Sequence, residues 1–309
     1  MRILMVGAGV IGSVYAGALA ESGHSVAMLA RGHRLDALRD RGLVLVDAGT
    51  GEQNAPTVAP VATISPEEAY DLVVVAVRED QLDDVAPALR RLPSECDMLF
   101  FGNTANRTRW LSEALEGRAF FGFPAVGGVR DADVVRYVLI PQQRTMLGEV
   151  DGHRTARLDS AQAAFEAAGF RTRRSDDIEG WLLGHAAFIV PIGVALLRHR
   201  GDAARLAADG PGLRRMVRAT RQAFRALGDR AEVPGNLRAL YRLPDLVVTR
   251  YWRRVLAGPR GELWFAAHTR AAPEEIASLA RALTAAVTID PASAPDLAEV
   301  LTGDRPASG

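Results

Sequence analysis

The chain of 309 residues contains no lysine, so all 37 of its basic residues are arginines. This absence excludes several kinds of chemistry at once. A Schiff-base nucleophile, a lysine general acid and a phosphate-binding P-loop all depend on a lysine ammonium group. Any anion that this protein binds through a charged side chain must therefore meet a guanidinium or a protonated histidine.

Cysteine is almost absent as well. Cys96 is the single one, so no disulfide can form within the chain, and a reducing compartment is expected. The basic residues are balanced by 37 acidic ones, and a net charge of zero gives no electrostatic footprint for nucleic acid. The apolar run at the start is too short for a signal peptide. We therefore expect a cytoplasmic protein with no nucleic-acid partner.

Long uncharged stretches are rare, and one of them raises the question of a membrane span. It runs from Trp181 to Leu197 and contains Gly184, His185 and Pro191. Its length lies at the lower limit of what crosses a bilayer, and glycine, histidine and proline interrupt it. We expect a buried helix of a globular domain, with no membrane partner.

The first residues carry a glycine pattern that is typical of dinucleotide sites. An apolar strand is predicted over Arg2 to Val6, and GAGVIG follows it in G-x-G-x-x-G spacing before a helix of small residues. The three glycines permit a tight turn, close approach of a pyrophosphate and tight packing of helix on strand. The residues expected to contact the cofactor here are Gly7, Ala8, Gly9, Val10, Ile11 and Gly12.

The end of the second predicted strand, His24 to Ala30, indicates which dinucleotide is bound. Sites for NAD usually place a carboxylate here, where it binds the ribose 2′-hydroxyl. This chain has Arg31 instead, with Arg34 close behind. Because a guanidinium pairs with a 2′-phosphate, the sequence predicts NADP(H) as the cofactor.

The remaining patterns predict the fold class and the domain division. Asp71 to Val77, Asp97 to Phe101 and RAFFGF read as further buried strands, and VVRYVLI and RTMLGEV as a hairpin. From about Asp176 the pattern becomes helical, as in GLRRMVRATRQAFRALGDR. We predict an α/β fold with an amino-terminal Rossmann-type doubly wound sheet over residues 1–175. An all-helical domain over residues 176–309 would follow, holding a small-molecule substrate in the cleft between the domains and able to support a homodimer.

Over nearly its whole length the chain resembles the ketopantoate reductase (2-dehydropantoate 2-reductase) family. The matching motifs are GAGVIGS, LARGHRLDALRDRGL, VAVREDQL, FFGNTANRT and PAVGGVR, in this order. The resemblance implies that NADPH reduces a 2-oxo acid while a protein acid protonates the carbonyl oxygen. It also implies that Arg31 binds the 2′-phosphate and that Asn103 lies beside the nicotinamide ribose and the substrate. Arg78 falls where the family commonly has a lysine near the cofactor.

The catalytic part of the family pattern is missing. The family's helix carries a lysine, then asparagines four and eight residues later, just before a proline. With Pro191 as the anchor, these positions are Leu182, Ala186 and Val190. The lysine acid is therefore absent, and the three replacements predict a substrate pocket that is more apolar than one for ketopantoate.

Two residues are candidates for handling the proton in the lysine's place. His185 is one helical turn from Leu182, and a histidine titrates near neutrality. The alternative is that His185 is a core histidine bonded to a helix carbonyl. Glu262 matches the family's substrate-contacting glutamate, and Arg250 lies in a region expected to border the cleft. The predicted catalytic set is His185, Glu262 and Asn103, and no metal is expected.

Three functions remain open from the sequence. The first is an NADPH-dependent reductase with an altered, more apolar carbonyl or imine substrate. The second is an ordinary 2-dehydropantoate 2-reductase, since hydride transfer is chiefly the cofactor's chemistry. The third is a non-redox protein that binds NADP(H), such as a sensor, a cyclase or an isomerase. Oxidation of NADPH distinguishes the third from the other two.

Overall fold

The computed structural model describes residues 1–288 and 290–302. They form two compact units, an amino-terminal unit of Met1–Ile178 and a carboxy-terminal unit that begins at Glu179. Each unit has its own apolar core.

The amino-terminal unit alternates strands and helices through most of its length. In chain order its elements are β1 (Arg2–Val6), α1 (Val10–Glu21), β2 (Ser25–Leu29), α2 (Gly32–Arg41), β3 (Val44–Asp47), β4 (Gln53–Asn54), β5 (Ala59–Val61), β6 (Leu72–Val75), α3 (Leu82–Arg90), β7 (Asp97–Phe101), α4 (Thr108–Ala114), β8 (Ala119–Phe123), β9 (Val126–Asp131), β10 (Val134–Leu139), β11 (Thr145–Gly148), α5 (Ala156–Ala167) and β12 (Thr172–Arg174). A 3₁₀ turn, Glu79–Gln81, precedes α3.

The main sheet confirms the predicted doubly wound fold. Its strand order is β5-β2-β1-β6-β7-β8-β11-β12. The strands from β5 to β8 are parallel, and β11 returns antiparallel to β8. The chain winds outward from β1 to β2 and β5 on one side, and through β6, β7 and β8 on the other. The carboxyl ends of β1 and β6 therefore meet at the point where the winding reverses, which is where such sheets bind ligands.

A second sheet, of order β4-β3-β10-β9, corrects the predicted hairpin. Strand β10 pairs antiparallel with β9 and parallel with β3, whereas β11 belongs to the main sheet. Ala132, with a positive φ of 50°, makes the tight turn between β9 and β10. The segment after β10 contains Pro141, which has no backbone N–H for continued pairing, and it carries the chain to the other sheet.

Tyr15 fixes helix α1 to the main sheet. Its ring is fully buried and stacks on Phe170, with 4.0 Å between the ring centroids and 13° between the ring planes. The Ala125 amide donates to the Tyr15 hydroxyl at 3.1 Å, and the Thr145 hydroxyl is a second hydrogen-bond partner at 2.5 Å. The start of α1 is thus held firmly at the carboxyl end of β1.

The carboxy-terminal unit is helical, with no strand among its described residues. Its helices are α6 (Ile178–Arg198), which begins one residue before the unit, α7 (Ala203–Ala208), α8 (Gly210–Leu227), α9 (Gly235–Leu240), α10 (Asp245–Leu256), α11 (Pro259–Gly261), α12 (Ala267–Ala271), α13 (Pro273–Ala286) and α14 (Pro295–Thr302). A π-helical turn, Glu262–Ala266, joins α11 to α12.

Helix α6 contains the long uncharged stretch. Among the described helices it is the one whose length and composition would allow it to cross a membrane. In its most apolar window, 61% of the residues are buried inside the protein. A Cβ on Gly193 would lie 2.6 Å from the side chain of Ile276, so α6 and α13 are in close contact there. Such packing is typical of the core helix of a globular domain.

Candidate functional site

The glycine turn after β1 is built so tightly that two of its positions exclude a side chain. Gly7 has a φ of +116°, and a Cβ there would lie 2.5 Å from the carbonyl oxygen of Ala76 at the end of β6. A Cβ on Gly12 would lie 1.9 Å from the carbonyl oxygen of Gly7. Backbone atoms cannot move aside as a flexible side chain can. The sequence pattern thus reflects real steric limits on strand, turn and helix.

Gly9 differs from both neighbours because a Cβ there would meet nothing within 4 Å. It is the N-cap of α1, and its carbonyl accepts the Ser13 amide at 3.0 Å. The amides of the first helical turn, Val10 to Gly12, have no carbonyl of the preceding turn to bind. Open space in front of free N–H groups and the positive end of a helix is what a phosphate group requires. These residues therefore fit a dinucleotide pyrophosphate.

Two arginines converge on the carbonyl oxygen of Ala8 inside this turn. Arg34 donates from Nε at 3.3 Å, and Arg130, from strand β9, donates from a terminal nitrogen at 3.4 Å. Arg34 is buried and also donates to the Asp133 carbonyl at 3.0 Å and the Ser13 hydroxyl at 3.2 Å. Burial, reinforced by the charge of Arg130, lowers the pKa of Arg34.

The two arginines that follow β2 consequently have different roles. All three nitrogens of the Arg34 guanidinium are occupied within the protein, so Arg34 stabilises the glycine turn. Arg31, the N-cap of α2, is exposed at the carboxyl end of the strand. Asp133, the carboxylate nearby, is already paired with Arg41 and lies 3.7 Å from His33 Nδ1. Arg31 is thus the arginine that is available to an external phosphate.

The carboxyl ends of β6 and β7 carry Arg78 and Asn103. Arg78 donates from Nε and a terminal nitrogen to the two carboxylate oxygens of Asp80, both at 3.0 Å, and this pairing lowers the pKa of Asp80. Asn103 is half-buried just after β7. Next to it, Thr104 is buried, and its hydroxyl has no hydrogen-bond partner among the described residues. Thr104 was not predicted from the sequence, although a threonine beside Asn103 is a further polar group for a bound ligand.

His185 lies on α6 beside two titratable groups of the same unit. Its ring stacks on Trp181, with 5.6 Å between the centroids and 8° between the planes. His268 Nε2 and the buried Glu275 carboxylate are 3.2 Å apart, and both influence His185 electrostatically. Burial lowers the pKa of His185 to about 3; the charge of Glu275 opposes this shift, and that of His268 adds to it. At neutral pH His185 is therefore an uncharged hydrogen-bonding group.

This pKa predicts how stability depends on pH. Because the folded state disfavours the protonated ring, the stability that His185 contributes is complete above its unfolded pKa of about 6.5. It is lost as the pH falls from there toward 3. Between pH 7 and pH 4 we expect a decrease of about 3 kcal/mol in the free energy of unfolding through this group. Chemical denaturation at several pH values measures it.

The matched variants are His185→Gln and His153→Gln. His153 is exposed in the amino-terminal unit and pairs with Asp151. We expect the acid-induced loss to become shallower in His185→Gln and to be retained in His153→Gln, with Glu275 and His268 unchanged in both. If the free energy of unfolding had the same pH dependence in the wild type and in His185→Gln, the ring would be solvated and its pKa would not be lowered by folding.

Glu262 begins the π-helical turn, and its carboxylate is bound by Arg270. One terminal nitrogen of Arg270 donates to Oε2 at 3.1 Å, and the other donates to Oε1. The first nitrogen also donates to the Gly201 carbonyl at 2.7 Å. π-Helical turns are rare and occur often at functional sites. The pair holds Glu262 in a fixed orientation, with about half of each side chain exposed.

The three residues of the predicted substrate pocket, Leu182, Ala186 and Val190, are buried in the carboxy-terminal unit. Ala186 and Val190 have no exposed surface, and Leu182 is 2% exposed. Ala186 and Val190 belong to an apolar core that includes Ala219 and Ala223 of α8, Leu279 and Leu283 of α13, and Leu297 of α14. Because neighbouring helices cover this side of α6, small apolar residues are needed there for packing. Arg250, by contrast, is exposed on α10.

No group of three or more His, Cys, Asp or Glu side chains suited to a metal ion occurs in the described parts of the chain.

Comparison with known proteins identifies relatives of this fold and sequence. Residues 3–152 match the sequence model of a family described as ketopantoate reductase PanE/ApbA. A 2-dehydropantoate 2-reductase of Pyrococcus horikoshii is 26% identical over 182 residues, which cover 59% of this chain and 58% of that protein. The match therefore spans less than two thirds of that relative's length.

Solved structures resemble the chain over nearly its whole length. A PanE/ApbA family ketopantoate reductase from Ralstonia eutropha superposes with a TM-score of 0.76 at 19% identity, covering 98% of this chain and 96% of that one. The ternary structure of D-mandelate dehydrogenase with NADH and anilino(oxo)acetate gives 0.72 at 14% identity, covering 98% and 96%. These likenesses establish the fold, an α/β sheet followed by a helix-rich region.

Proposed function

Because residues 3–152 match the sequence model of the ketopantoate reductase PanE/ApbA family, we propose that this protein is an NADPH-dependent reductase of a carbonyl group. The observation that carries the proposal is the glycine turn. Gly7 and Gly12 leave no space for a side chain, whereas Gly9 faces open space at the start of α1. A structural turn alone has no need of that opening, but a pyrophosphate does.

The proposed preference for NADPH depends on Arg31. It is an exposed arginine at the carboxyl end of β2, where an NAD site usually has a carboxylate. Asp133, a carboxylate that contacts the same helix, is paired with Arg41. A guanidinium binds a phosphate through two parallel hydrogen bonds, which favours the cofactor with a 2′-phosphate.

For the reaction, a bound reduced nicotinamide supplies a hydride to a carbonyl carbon. The chain's own part is to bind and orient the substrate and to stabilise the developing oxyanion, which takes its proton from solvent water. Asn103 is the proposed polar contact in the amino-terminal unit, and Thr104 adds a buried hydroxyl beside it. In the carboxy-terminal unit, uncharged His185 can donate one N–H to a developing oxyanion. Glu262 is the proposed acceptor for a substrate hydroxyl or amine.

The proposed substrate is a carbonyl or imine compound that differs from 2-dehydropantoate. The curated relative is named for that reaction, but this chain has no lysine at any position. A cationic side chain that orients the substrate here must therefore be an arginine or a histidine. The apolar character of Ala186 and Val190 is explained by packing, because both are buried among helices.

The test is a fluorescence titration with NADPH and NADH, followed by absorbance assays with 2-dehydropantoate, other 2-oxo acids, ketones and imines. We expect tight NADPH binding and oxidation with at least one compound other than 2-dehydropantoate. Efficient turnover of 2-dehydropantoate alone would overturn the proposed substrate but not the cofactor. Tight binding without any oxidation would favour a non-redox protein.

The variant Arg31→Ala tests the cofactor preference. We expect it to weaken NADPH binding by about 10- to 100-fold and to leave NADH binding nearly unchanged, since a charge-assisted bidentate contact is lost for NADPH only. Arg39→Ala is the matched control, because Arg39 is an equally exposed arginine in the last turn of the same helix. Equal losses in both variants would assign the effect to net charge.

A further inference from the structure

The electrostatics of the glycine turn are unbalanced within the protein. Arg34 and Arg130 donate to the same carbonyl oxygen, that of Ala8, at 3.3 Å and 3.4 Å. Two guanidinium groups that share one acceptor repel each other, and the repulsion is strongest where water is excluded. Neither arginine has a carboxylate within 4 Å among the described residues, and the charge of the Asp133 carboxylate offsets only part of the effect of burial and Arg130 on the pKa of Arg34. A bound anion would relieve this excess of positive charge.

Arg130 has N–H groups that the protein does not use as hydrogen-bond donors, whereas every nitrogen of the Arg34 guanidinium is used. Its side chain is exposed. Among the described residues, it makes one side-chain hydrogen bond, to the Ala8 carbonyl oxygen. A guanidinium carries five N–H donors in a planar fork. Most of the donors of Arg130 are therefore available to a ligand in the space in front of Gly9.

A rigid strand holds Arg130 in this position. Strand β9 contacts α1, and a Cβ on Gly128 would lie 3.0 Å from Val10 Cγ1 and 2.3 Å from the Arg136 carbonyl oxygen. The glycine thus allows β9 to lie directly against the first turn of α1. Two residues further along the strand, Arg130 is held beside the turn without the freedom of a loop.

We propose that Arg130, supplied by the second sheet, is a phosphate ligand of the bound dinucleotide. The inference rests on the proposed function, because it requires a dinucleotide at the glycine turn. It assigns the second sheet a role in cofactor binding. It also explains why two guanidinium groups lie so close together at the positive end of a helix, because a bound anion would neutralise part of their charge.

The test compares Arg130→Ala with Arg136→Ala in titrations of the full chain with NADPH and with NADH. Arg136 is an exposed arginine of the adjacent strand, β10, so both variants change the net charge equally. We expect Arg130→Ala to weaken binding by about 10- to 100-fold and Arg136→Ala by less than about 2-fold. A loss for both cofactors identifies the pyrophosphate as the partner, and a loss for NADPH alone identifies the 2′-phosphate.

Two further variants separate binding from folding. Arg130→Lys keeps the charge and should restore part of the affinity, whereas Arg130→Gln keeps a hydrogen-bond donor for Ala8 without the charge and should not. The Tm of each cofactor-free variant shows whether the turn itself is intact. Unchanged affinity of Arg130→Gln for both cofactors, with wild-type protein binding NADPH, would overturn the inference alone. Failure of the wild type to bind either cofactor would overturn the proposed function and the inference with it.

Discussion

Replacing Gly12 by alanine is expected to abolish dinucleotide binding and to destabilise the amino-terminal unit. The added Cβ would lie 1.9 Å from the Gly7 carbonyl oxygen, a distance that no pair of non-bonded atoms tolerates. Either α1 or the turn must shift, and the N–H groups of the first turn shift with it. Overpacking of this kind costs about 1–3 kcal/mol. We expect NADPH affinity to fall by more than about 100-fold, as measured by fluorescence titration beside chemical denaturation.

Two other glycines provide the controls for this prediction. Gly235, at the start of α9, has open space around its Cα, so Gly235→Ala should change stability by less than about 0.5 kcal/mol. Gly9→Ala also meets no protein atom and should leave stability unchanged, but it fills the space in front of the free amides. It should therefore weaken binding while preserving the fold. If Gly12→Ala bound NADPH normally, the turn could not be the pyrophosphate site.

The fold was predictable where the determining interactions are local in sequence. The strand, glycine turn and helix from Arg2 to Glu21 carry local sequence signals, namely an apolar run, the glycine spacing and small residues, and they were predicted correctly. The error was the hairpin of β10 with β11. Strand β10 pairs instead with β9 and with β3, which precedes it by many residues. Both β10 and β11 have the composition of strands, so composition could not decide which sheet each one joins.

The same limit applies to the site. Arg31 and Arg34 are three residues apart, and the sequence does not show that one is exposed while the other is buried under three hydrogen bonds. Arg130 approaches the turn from a separate sheet, which no local motif reveals. His185 was considered as a group that titrates near neutrality, but burial lowers its pKa to about 3. Burial and non-local pairing, which set these properties, follow from the tertiary structure.

Glu149→Ala is expected to cause the largest loss of stability among these variants without affecting the cofactor site. Glu149 has 4% of its side chain exposed, and both of its oxygens accept from Arg157, at 2.7 Å and 2.6 Å. The Thr155 hydroxyl, at the N-cap of α5, donates to it at 2.6 Å. Removing one partner of a buried pair costs about 3–5 kcal/mol, and Arg157 then keeps only the Asp97 carboxylate, 3.5 Å away, as a counter-charge. Chemical denaturation measures the loss.

The position of this pair allows stability and binding to be separated. Arg157 also donates to the Gly117 carbonyl at 2.8 Å and lies 3.5 Å from the Asp97 carboxylate, so it joins the amino ends of β7 and β8. The glycine turn lies at the carboxyl ends of the parallel strands, on the opposite edge of the sheet. At temperatures where Glu149→Ala is folded, its NADPH affinity should therefore equal that of the wild type.

Asp159→Ala is the matched control, because Asp159 is an exposed residue of α5 whose partner is Arg174. Removing an exposed ion pair should cost less than about 1 kcal/mol. Glu149→Gln should fall between the two, since an amide can still accept one hydrogen bond but leaves Arg157 without its counter-charge. If Glu149→Ala cost no more than Asp159→Ala, the nearby Asp97 carboxylate would have taken over the pairing. The buried pair would then contribute to the geometry of this edge and little to its stability.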